Sequence, residues 1–422
     1  MTAPLRKRFP RAKIIALHVE KPPENPEEPD SKWYPETGLS VQDFLEAEIP
    51  DSKAEEIRLL EWRPALSVFG GAYLSLIEET VEFIKRADAG ARTLSVFGRN
   101  WFRNFFKNLD IIKNILCPAQ FSIPFLVTGA GPSLEDAIPL IRENRPGLFI
   151  LATASSLAAL KAQNLNPDLV TSTDGSAWAK IHLNEIFTGT NGIPLAATLA
   201  AALPSQAETL PVLPISDGSF WQTLILKELG IPHITMPQRG TVSASALDLA
   251  FALSQGEIFI AGMDLANRDI RSHARPYSLD RLMEEKAERI NPVYSQTYKR
   301  SSMLKAGGSY DIYASWFKKQ LNSYPKKLHA LGGNNPIFGL SDSMTSSTFP
   351  HRVLTDFRII PCKTDSRKAH SVLEKALKDN FHSEIQKELS LLLLPDNTET
   401  PLVELINAIR SILSLDRGEK NG

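Results

Sequence analysis

The stretch FLVTGAGPSLEDAIPLI, residues 125–141, changes backbone state within a few positions. Phe125, Leu126, Val127 and Thr128 form a short apolar run of strand length. Gly129-Ala130-Gly131-Pro132-Ser133 then turns the chain, and from Leu134 to Arg142 the apolar residues fall at helical spacing. Glycines at a strand-to-helix turn let backbone N–H groups approach a phosphate, and the helix start adds a partial positive charge. Ser133 either donates its hydroxyl to such a ligand or caps the helix; a tight turn with a capping serine is the purely structural alternative.

The same alternation continues outward from this unit. Strand-length runs occur at 148–152, 169–172, 194–198, 212–215 and 257–261, with helical patterns at 157–163, 178–187, 220–229 and 243–253. Strands alternating with helices predict an α/β fold with a doubly wound, mostly parallel sheet, whose ligands bind beyond the carboxyl ends of the strands. Residues 264–308 lack clear periodicity and read as a functional lid or a partly helical insertion. An amphipathic helix over 310–321 and a last strand at 327–331 follow.

Upstream, the proline-rich acidic stretch 21–36 reads as a loop, and 53–60 and 73–86 as helices. A further helical piece over 99–116 carries Trp101, Phe102, Phe105, Phe106 and Leu109 as an aromatic stripe, the mark of a buried face. Residues 366–394 and 401–415 are helical again. The expected organisation is a largely helical N-terminal region at 1–119, an α/β domain at 120–340 and a C-terminal helical domain at 341–422.

Composition narrows the function. The 422 residues carry 47 Lys+Arg against 48 Asp+Glu, for a net charge of −1, so binding to nucleic acid through bulk charge is excluded. The 2 cysteines, Cys117 and Cys362, stand in no CxxC or Cys/His cluster, which predicts a reducing compartment and no metal site. No apolar run reaches the ~18 residues of a membrane span. The short run that follows the basic N-terminus is too brief for a signal-peptide core, so a cytoplasmic location is expected.

Several residues could carry chemistry. Leu134 stands where a dinucleotide fingerprint wants a third glycine, the second strand ends in neutral Thr153-Ala154-Ser155-Ser156, and no GK[ST] occurs, all of which disfavours NAD(P) and P-loop binding. Asp174, at the end of the third strand, either orients a ligand, catalyses, binds a metal or caps a helix. Gly240-Thr241-Val242-Ser243 opens a helix of small residues suited to an anion. Gly262-Met263-Asp264 ends a strand, and His273 follows in the long loop as a candidate general base.

Taken in order, GRNWFRN at 98–104, VTGAGPSLE at 127–135, ASSLAAL and NPDLVTSTD within 154–174, GTVSASALDLAFAL at 240–253 and IFIAGMDLA at 258–266 resemble the MptE-like superfamily. That superfamily contains the motility-associated-factor (Maf) flagellin glycosyltransferases, and the resemblance covers roughly residues 95–340. It implies a domain related to bacterial sialyltransferases that use CMP-activated nonulosonic acids, transferring the sugar to Ser or Thr hydroxyls of flagellin.

The expected nucleotide-binding set is Gly129, Ala130, Gly131, Pro132, Ser133, Ser155, Gly240, Thr241, Ser243, Asp264 and Asn335, with Ala130 standing where the sialyltransferases have Asn. His273, with Asp174 as the other candidate, would take the acceptor's proton, and Arg271 and Arg275 would hold the sugar carboxylate. The expected partners are a nucleotide-sugar donor and a flagellin-like acceptor, with no obligatory cofactor. The superfamily also includes an archaeal 6-hydroxymethyl-7,8-dihydropterin pyrophosphokinase; on that alternative Asp174 and Asp264 would hold Mg²⁺ and ATP would be the donor. A non-catalytic relative that keeps the fold as a binding module is the third reading.

Overall fold

The structure, a computed structural model, describes residues 2–23, 28–49, 56–188, 192–306, 310, 313–314, 317, 328–341, 357–379, 383–395 and 400–418. Its contacts divide the chain into two units, Met1–Arg99 with Leu389–Leu405, and Asn100–Glu388 with Ile406–Gly422. The cut therefore falls differently from the expected 1–119, 120–340 and 341–422, because the aromatic half of one long helix goes with the sheet.

The first unit contains α1 (Thr2–Arg8), β1 (Ile15–Leu17), β2 (Ser31–Trp33), α2 (Val41–Glu48) and α3 (Pro64–Phe69). The strands β1 and β2 pair in parallel. Ser40 caps α2 by accepting from the Asp43 amide at 3.1 Å. Trp33, Val41, Phe44, Leu45, Leu76 and Phe83 form its core. Of the helix expected over 53–60, residues 57–60 are not helical and 53–55 lie outside the described residues.

The two helical pieces read at 73–86 and 99–116 are one helix, α4 (Gly71–Ile111). It stops before Asn114–Leu116, which form the strand β3 instead. In the second unit Phe102 and Phe105 are fully buried, and their rings lie 5.3 and 4.7 Å from that of Trp221. The aromatic stripe is thus a core face, as its spacing predicts.

From there the chain runs through β4 (Phe125–Thr128), α5 (Leu134–Asn144), β5 (Phe149–Thr153), α6 (Leu157–Ala162), β6 (Leu169–Ser172), α7 (Trp178–Leu183), β7 (Leu195–Thr198), β8 (Pro211–Ser216) and α8 (Phe220–Glu228). It continues through β9 (Ile234–Thr235), α9 (Val242–Leu253), β10 (Ile258–Ala261), α10 (Asp280–Glu285), α11 (Val293–Ala306), β11 (Leu328–Ala330) and β12 (Ile359–Pro361). Three helices close the chain: α12 (Ser366–Lys378), α13 (Ser383–Leu393) and α14 (Leu402–Gly418). The region after Asp264 is accordingly a partly helical insertion. The helix expected over 310–321 falls largely outside the described residues.

The sheet has 10 strands in the order β11-β10-β4-β5-β6-β7-β8-β3-β12, with β9 beside β8. Every pairing is parallel except β12 with β3. The protein is therefore α/β with a mostly parallel sheet and helical terminal regions. All residues of β4, β5, β6 and β10 are buried, as expected of strands covered on both faces. One core layer joins Val127, Leu151, Leu169 and Leu213 to Leu247 and Ala250 of α9. Successive strands step one way from β4 to β8, whereas β10 and β11 lie on the other side of β4. That reversal between β4 and β10 is a topological switch point, the place where sheets of this kind bind ligands beyond the strands' carboxyl ends.

Candidate functional site

Two glycines meet at the switch point. Gly129 follows β4 and donates to Ala261 O at 2.8 Å, while Gly131 N–H donates to Gly262 O at 2.7 Å. A Cβ on Gly129 would lie 2.3 Å from Gly262 O, and one on Gly262 would lie 2.4 Å from Gly129 O. Gly262 also has φ +68°, a left-handed conformation that side chains disfavour. Both glycines are therefore demanded by backbone-to-backbone contact.

The 129–133 loop is held by Asp264. The Ser133 amide donates to Asp264 Oδ2 at 2.7 Å, and the Ser133 hydroxyl donates to the other oxygen of the same carboxylate. Asp264 thus places a negative charge at the start of α5, where the helix dipole favours an anion. Asn335 buttresses the same strand end, since its Nδ2 donates to Met263 O at 3.1 Å and its Oδ1 accepts from the Ile337 and Phe338 amides. Pro132 is buried beside these contacts.

The segment after Asp264 is clamped to the first turn of α5. Arg268 forms a paired contact with Asp136, and Arg271 donates to Glu135 at 3.0 and 3.2 Å. The Arg275 amide donates to Glu135 at 2.9 Å, and its side chain lies 3.8 Å from Asp280. Arg271 and Arg275 therefore already face carboxylates of the protein itself. The Ala274 amide donates to Ala130 O at 2.8 Å, which fixes His273 next to the glycine loop.

Around His273 the fold assembles a cluster from three separate elements. The His273 ring stacks on Tyr277 with centroids 4.1 Å apart and planes 13° apart, and its Nδ1 lies 2.8 Å from Ser272 Oγ. Tyr277 Oη lies 3.3 Å from His182 Nε2 on α7 and accepts from Arg300 Nη2 on α11 at 3.3 Å, with the guanidinium 5.3 Å from the ring centre. Burial pushes the His273 imidazole down to about 3, helped by repulsion from Arg300 and His182. His182 is pushed down to about 4 by burial and then Arg300, against a weaker opposing pull from Asp174. Burial likewise raises the Tyr277 phenol. At neutral pH the cluster consists of two neutral imidazoles, a neutral phenol and a guanidinium, and burial makes both imidazoles weak bases.

These shifts fix a pH dependence. A histidine whose folded pKa lies below its unfolded value contributes stability above about pH 6.5, and that contribution is lost as pH falls toward 4 and 3. Unfolding free energy measured between pH 7 and 4.5 is expected to fall, and a His182→Gln, His273→Gln double variant is expected to flatten the slope. An unchanged slope would show that neither imidazole is held neutral.

Asp174 turns inward on its own loop, accepting from the Ser176 amide at 2.8 Å and the Ser176 hydroxyl at 2.9 Å. That loop is read by an asparagine comb on α4. Asn100 and Asn104 both donate to Gly175 O at 3.0 and 3.2 Å, Asn104 also to Ala200 O at 3.0 Å, and Asn108 to Leu199 O and Ala201 O. Ala202 N–H donates to Asp174 O at 2.9 Å, joining the two loops the comb holds. At the start of α9, Thr241 is the N-cap, accepting from Ala244 N–H at 3.1 Å. Gly240 lies where a Cβ would come within 3.0 Å of the Tyr313 ring, Ser243 is half-buried in the first turn, and Ser155 Oγ lies 3.2 Å from Thr153 Oγ1.

The structure thus brings together the 129–133 loop, Asp264, Asn335 and residues 271–275. Ser155, Asp174 and the Gly240–Ser243 turn lie at other strand ends of the same sheet edge. His182, Arg300 and the asparagine comb are absent from the sequence-based set. For the comb a signal exists, because Asn100, Asn104 and Asn108 recur every four residues beside the buried aromatic stripe. Among the described residues no group of three His, Cys, Asp or Glu side chains could hold a metal ion. No described helix is long and apolar enough to cross a membrane.

A glycine-lined switch point and a buried His/Tyr/Arg cluster make the carboxyl ends of the strands of this α/β domain the candidate site. Residues 99–269 match the family model described as 6-hydroxymethylpterin diphosphokinase MptE-like. A protein of Treponema pallidum (strain Nichols), described as uncharacterized, is 27% identical over 284 residues, which are 67% of this chain and 61% of that protein. The solved structure of a MAf glycosyltransferase from Magnetospirillum magneticum AMB-1 is similar over 82% of this chain and 57% of its own, at 13% identity and a TM-score of 0.42. The chain thus spans about three fifths of the length of each of these relatives.

Proposed function

We propose that the chain is a glycosyltransferase that moves a nonulosonic acid from a CMP-activated donor to Ser or Thr hydroxyls of a flagellin-like protein. The observation that carries this reading is the Ala274-to-Ala130 hydrogen bond, which sets the neutral His273–Tyr277 pair against the GAGPS loop. The MptE-like match and the motif order of residues 98–266 support it. In such a transfer the sugar C2–O bond to CMP breaks as the acceptor oxygen bonds to C2. The acceptor hydroxyl's proton goes to a base, and the departing phosphate keeps the electron pair. His273 accepts the proton, acting as a weak base because burial holds its imidazole pKa at about 3. The helix start at Gly240–Ser243 faces the developing phosphate charge, because the Ser133 donors at the start of α5 are already taken by Asp264. The helical regions outside the α/β domain recognise the acceptor.

The diphosphokinase reading is the competitor that the family description raises. Its two metal-holding carboxylates are both engaged, Asp264 with Ser133 and Asp174 with Ser176, which favours the glycosyltransferase. Thermal unfolding with CMP, CTP, ATP plus Mg²⁺, and a pterin separates the two, since a ligand bound only by the native state stabilises it. CMP is expected to raise the melting temperature by a few degrees at about a hundredfold excess over its Kd. Stabilisation by ATP plus Mg²⁺ and not by CMP would replace this reading with diphosphotransfer, and no response to any of the four would point to a binding module without turnover.

A further inference from the structure

The insertion after β10 is rich in arginine, and most of these cations are neutralised by the protein. Arg268 meets Asp136, Arg271 meets Glu135, and Arg275 faces Asp280. Arg300, half-buried on α11, differs: among the described residues it pairs with no carboxylate. Its contacts are the neutral Tyr277 hydroxyl and the face of the Tyr277 ring. A guanidinium has five N–H donors, so one bond to a phenol leaves most of them for another acceptor. A partly desolvated cation is costly to leave unpaired, and a cation–π contact recovers only part of that cost.

The donor polarity of the neighbouring chain points the same way. Arginine can only donate, so Tyr277 Oη accepts from Arg300 and is free to donate its own proton to His182 Nε2. A neutral His182 that accepts at Nε2 carries its proton on Nδ1. That Nδ1 is buried and has no hydrogen-bond partner. Both ends of the Arg300–Tyr277–His182 chain therefore present unfilled donors, and no carboxylate among the described residues hydrogen-bonds their side chains, since Asp280 accepts only from the Tyr277 backbone amide of this chain, at 3.2 Å. Asp174 acts on His182 and Tyr277 only through space. Such an arrangement suits a ligand anion.

We propose that Arg300 is the residue that recognises the carboxylate of the donor sugar, with Tyr277 and His182 positioning its guanidinium. The proposal rests on the acidic-sugar reading above and deepens it, moving carboxylate recognition from Arg271 and Arg275 to α11. The phosphate stays with the helix start at Gly240–Ser243.

The test is calorimetric titration of the full chain with CMP and with CMP-N-acetylneuraminate, for the wild type and the Arg300→Met and Arg271→Met variants. Far-UV circular dichroism and melting would first establish that each variant folds. Arg300→Met is expected to weaken CMP-N-acetylneuraminate roughly 10- to 100-fold, the loss of a charge-assisted contact, and to leave CMP within about 2-fold. Arg300→Lys, which keeps the charge and loses the fork, should recover part of the affinity. Equal losses for CMP and the sugar nucleotide would overturn the proposal by assigning Arg300 to the phosphate or to the scaffold. A selective loss in Arg271→Met and not in Arg300→Met would return the role to the 271–275 segment. If the wild type binds neither ligand, the parent reading fails and the proposal with it. If it binds both, and Arg300→Met weakens neither, only the proposal fails.

Discussion

Gly262→Ala is expected to lower unfolding free energy by about 2–5 kcal/mol. Two costs combine. Gly262 has φ +68°, where a Cβ costs ~1–2 kcal/mol. The new Cβ would also lie 2.4 Å from Gly129 O and 2.9 Å from Leu134 Cβ, and overpacking of that kind costs ~1–3 kcal/mol. Backbone cannot swing aside as the end of a flexible side chain can, so relief must come from separating the β4 and β10 loops. Gly230→Ala is the control in the same unit, because Gly230 has φ +63° and nothing within 4 Å of its Cβ position. It should show the conformational cost alone. Urea unfolding of the two variants checks this, and equal midpoints would mean that the close approach of the two loops is not rigid. Gly129→Ala meets Gly262 O at 2.3 Å without the left-handed strain, so it should fall between them. In both switch-point variants that remain folded, loss of CMP binding is expected to exceed the loss of stability. The displaced loop carries Ser133, Asp264 and the Ala130 carbonyl that anchors residue 274.

The parts of this site that sequence reveals are those encoded over a few adjacent residues. The runs 125–128 and 169–172 coincide with β4 and β6 because each joins apolar and β-branched residues over strand length and is followed by glycine or polar turn residues. The GAGPS turn is legible for the same reason. The strands β3, β9 and β12 are two or three residues long, too short for periodicity to register, and they form because neighbouring strands supply hydrogen bonds. Residues 112–116 look like a continuation of the helix by composition, yet pairing of Asn114 and Ile115 with β8 makes them a strand. The His182–Tyr277–Arg300 chain joins residues 95 and 23 positions apart in sequence, so nothing local marks it. His273 was visible as a lone histidine in a loop, whereas its stacking partner and its neutral state depend on burial between distant elements. The ion pairs of Arg271 and Arg275 also depend on where α5 packs, and they alter what those side chains are available to do.

Asn108→Asp should destabilise more than Asn108→Leu, a ranking that follows from which atoms face the side chain. Asn108 is 1% exposed, and its amide donates to Leu199 O at 2.8 Å and Ala201 O at 2.7 Å. Leucine keeps much of the volume and leaves two buried carbonyls without a donor, at ~1–3 kcal/mol each, so a loss of about 2–5 kcal/mol is expected. Aspartate is nearly the same shape but only accepts, so it sets a buried carboxylate against two carbonyl oxygens and must take up a proton or expel the contact. Its deficit should therefore shrink as pH is lowered through the carboxyl range, and the leucine variant's should not. Urea midpoints for both variants at pH 7 and pH 5 read this directly, and an Asn108→Asp protein as stable as the wild type at pH 7 would show that the comb does not bear on the loop. The neighbouring Asn104→Leu tests the functional side. It removes donors to Gly175 O and Ala200 O while Asn100 still holds Gly175, so the fold should survive with a smaller loss. Because Ala202 N–H binds Asp174 O, amide exchange at Ala202 and Ser176 is expected to quicken in Asn104→Leu ahead of the sheet amides. The comb on α4 thereby sets the position of the Asp174 loop through Gly175 O, while Ser176 holds the carboxylate that weakly opposes the downward shift of His182.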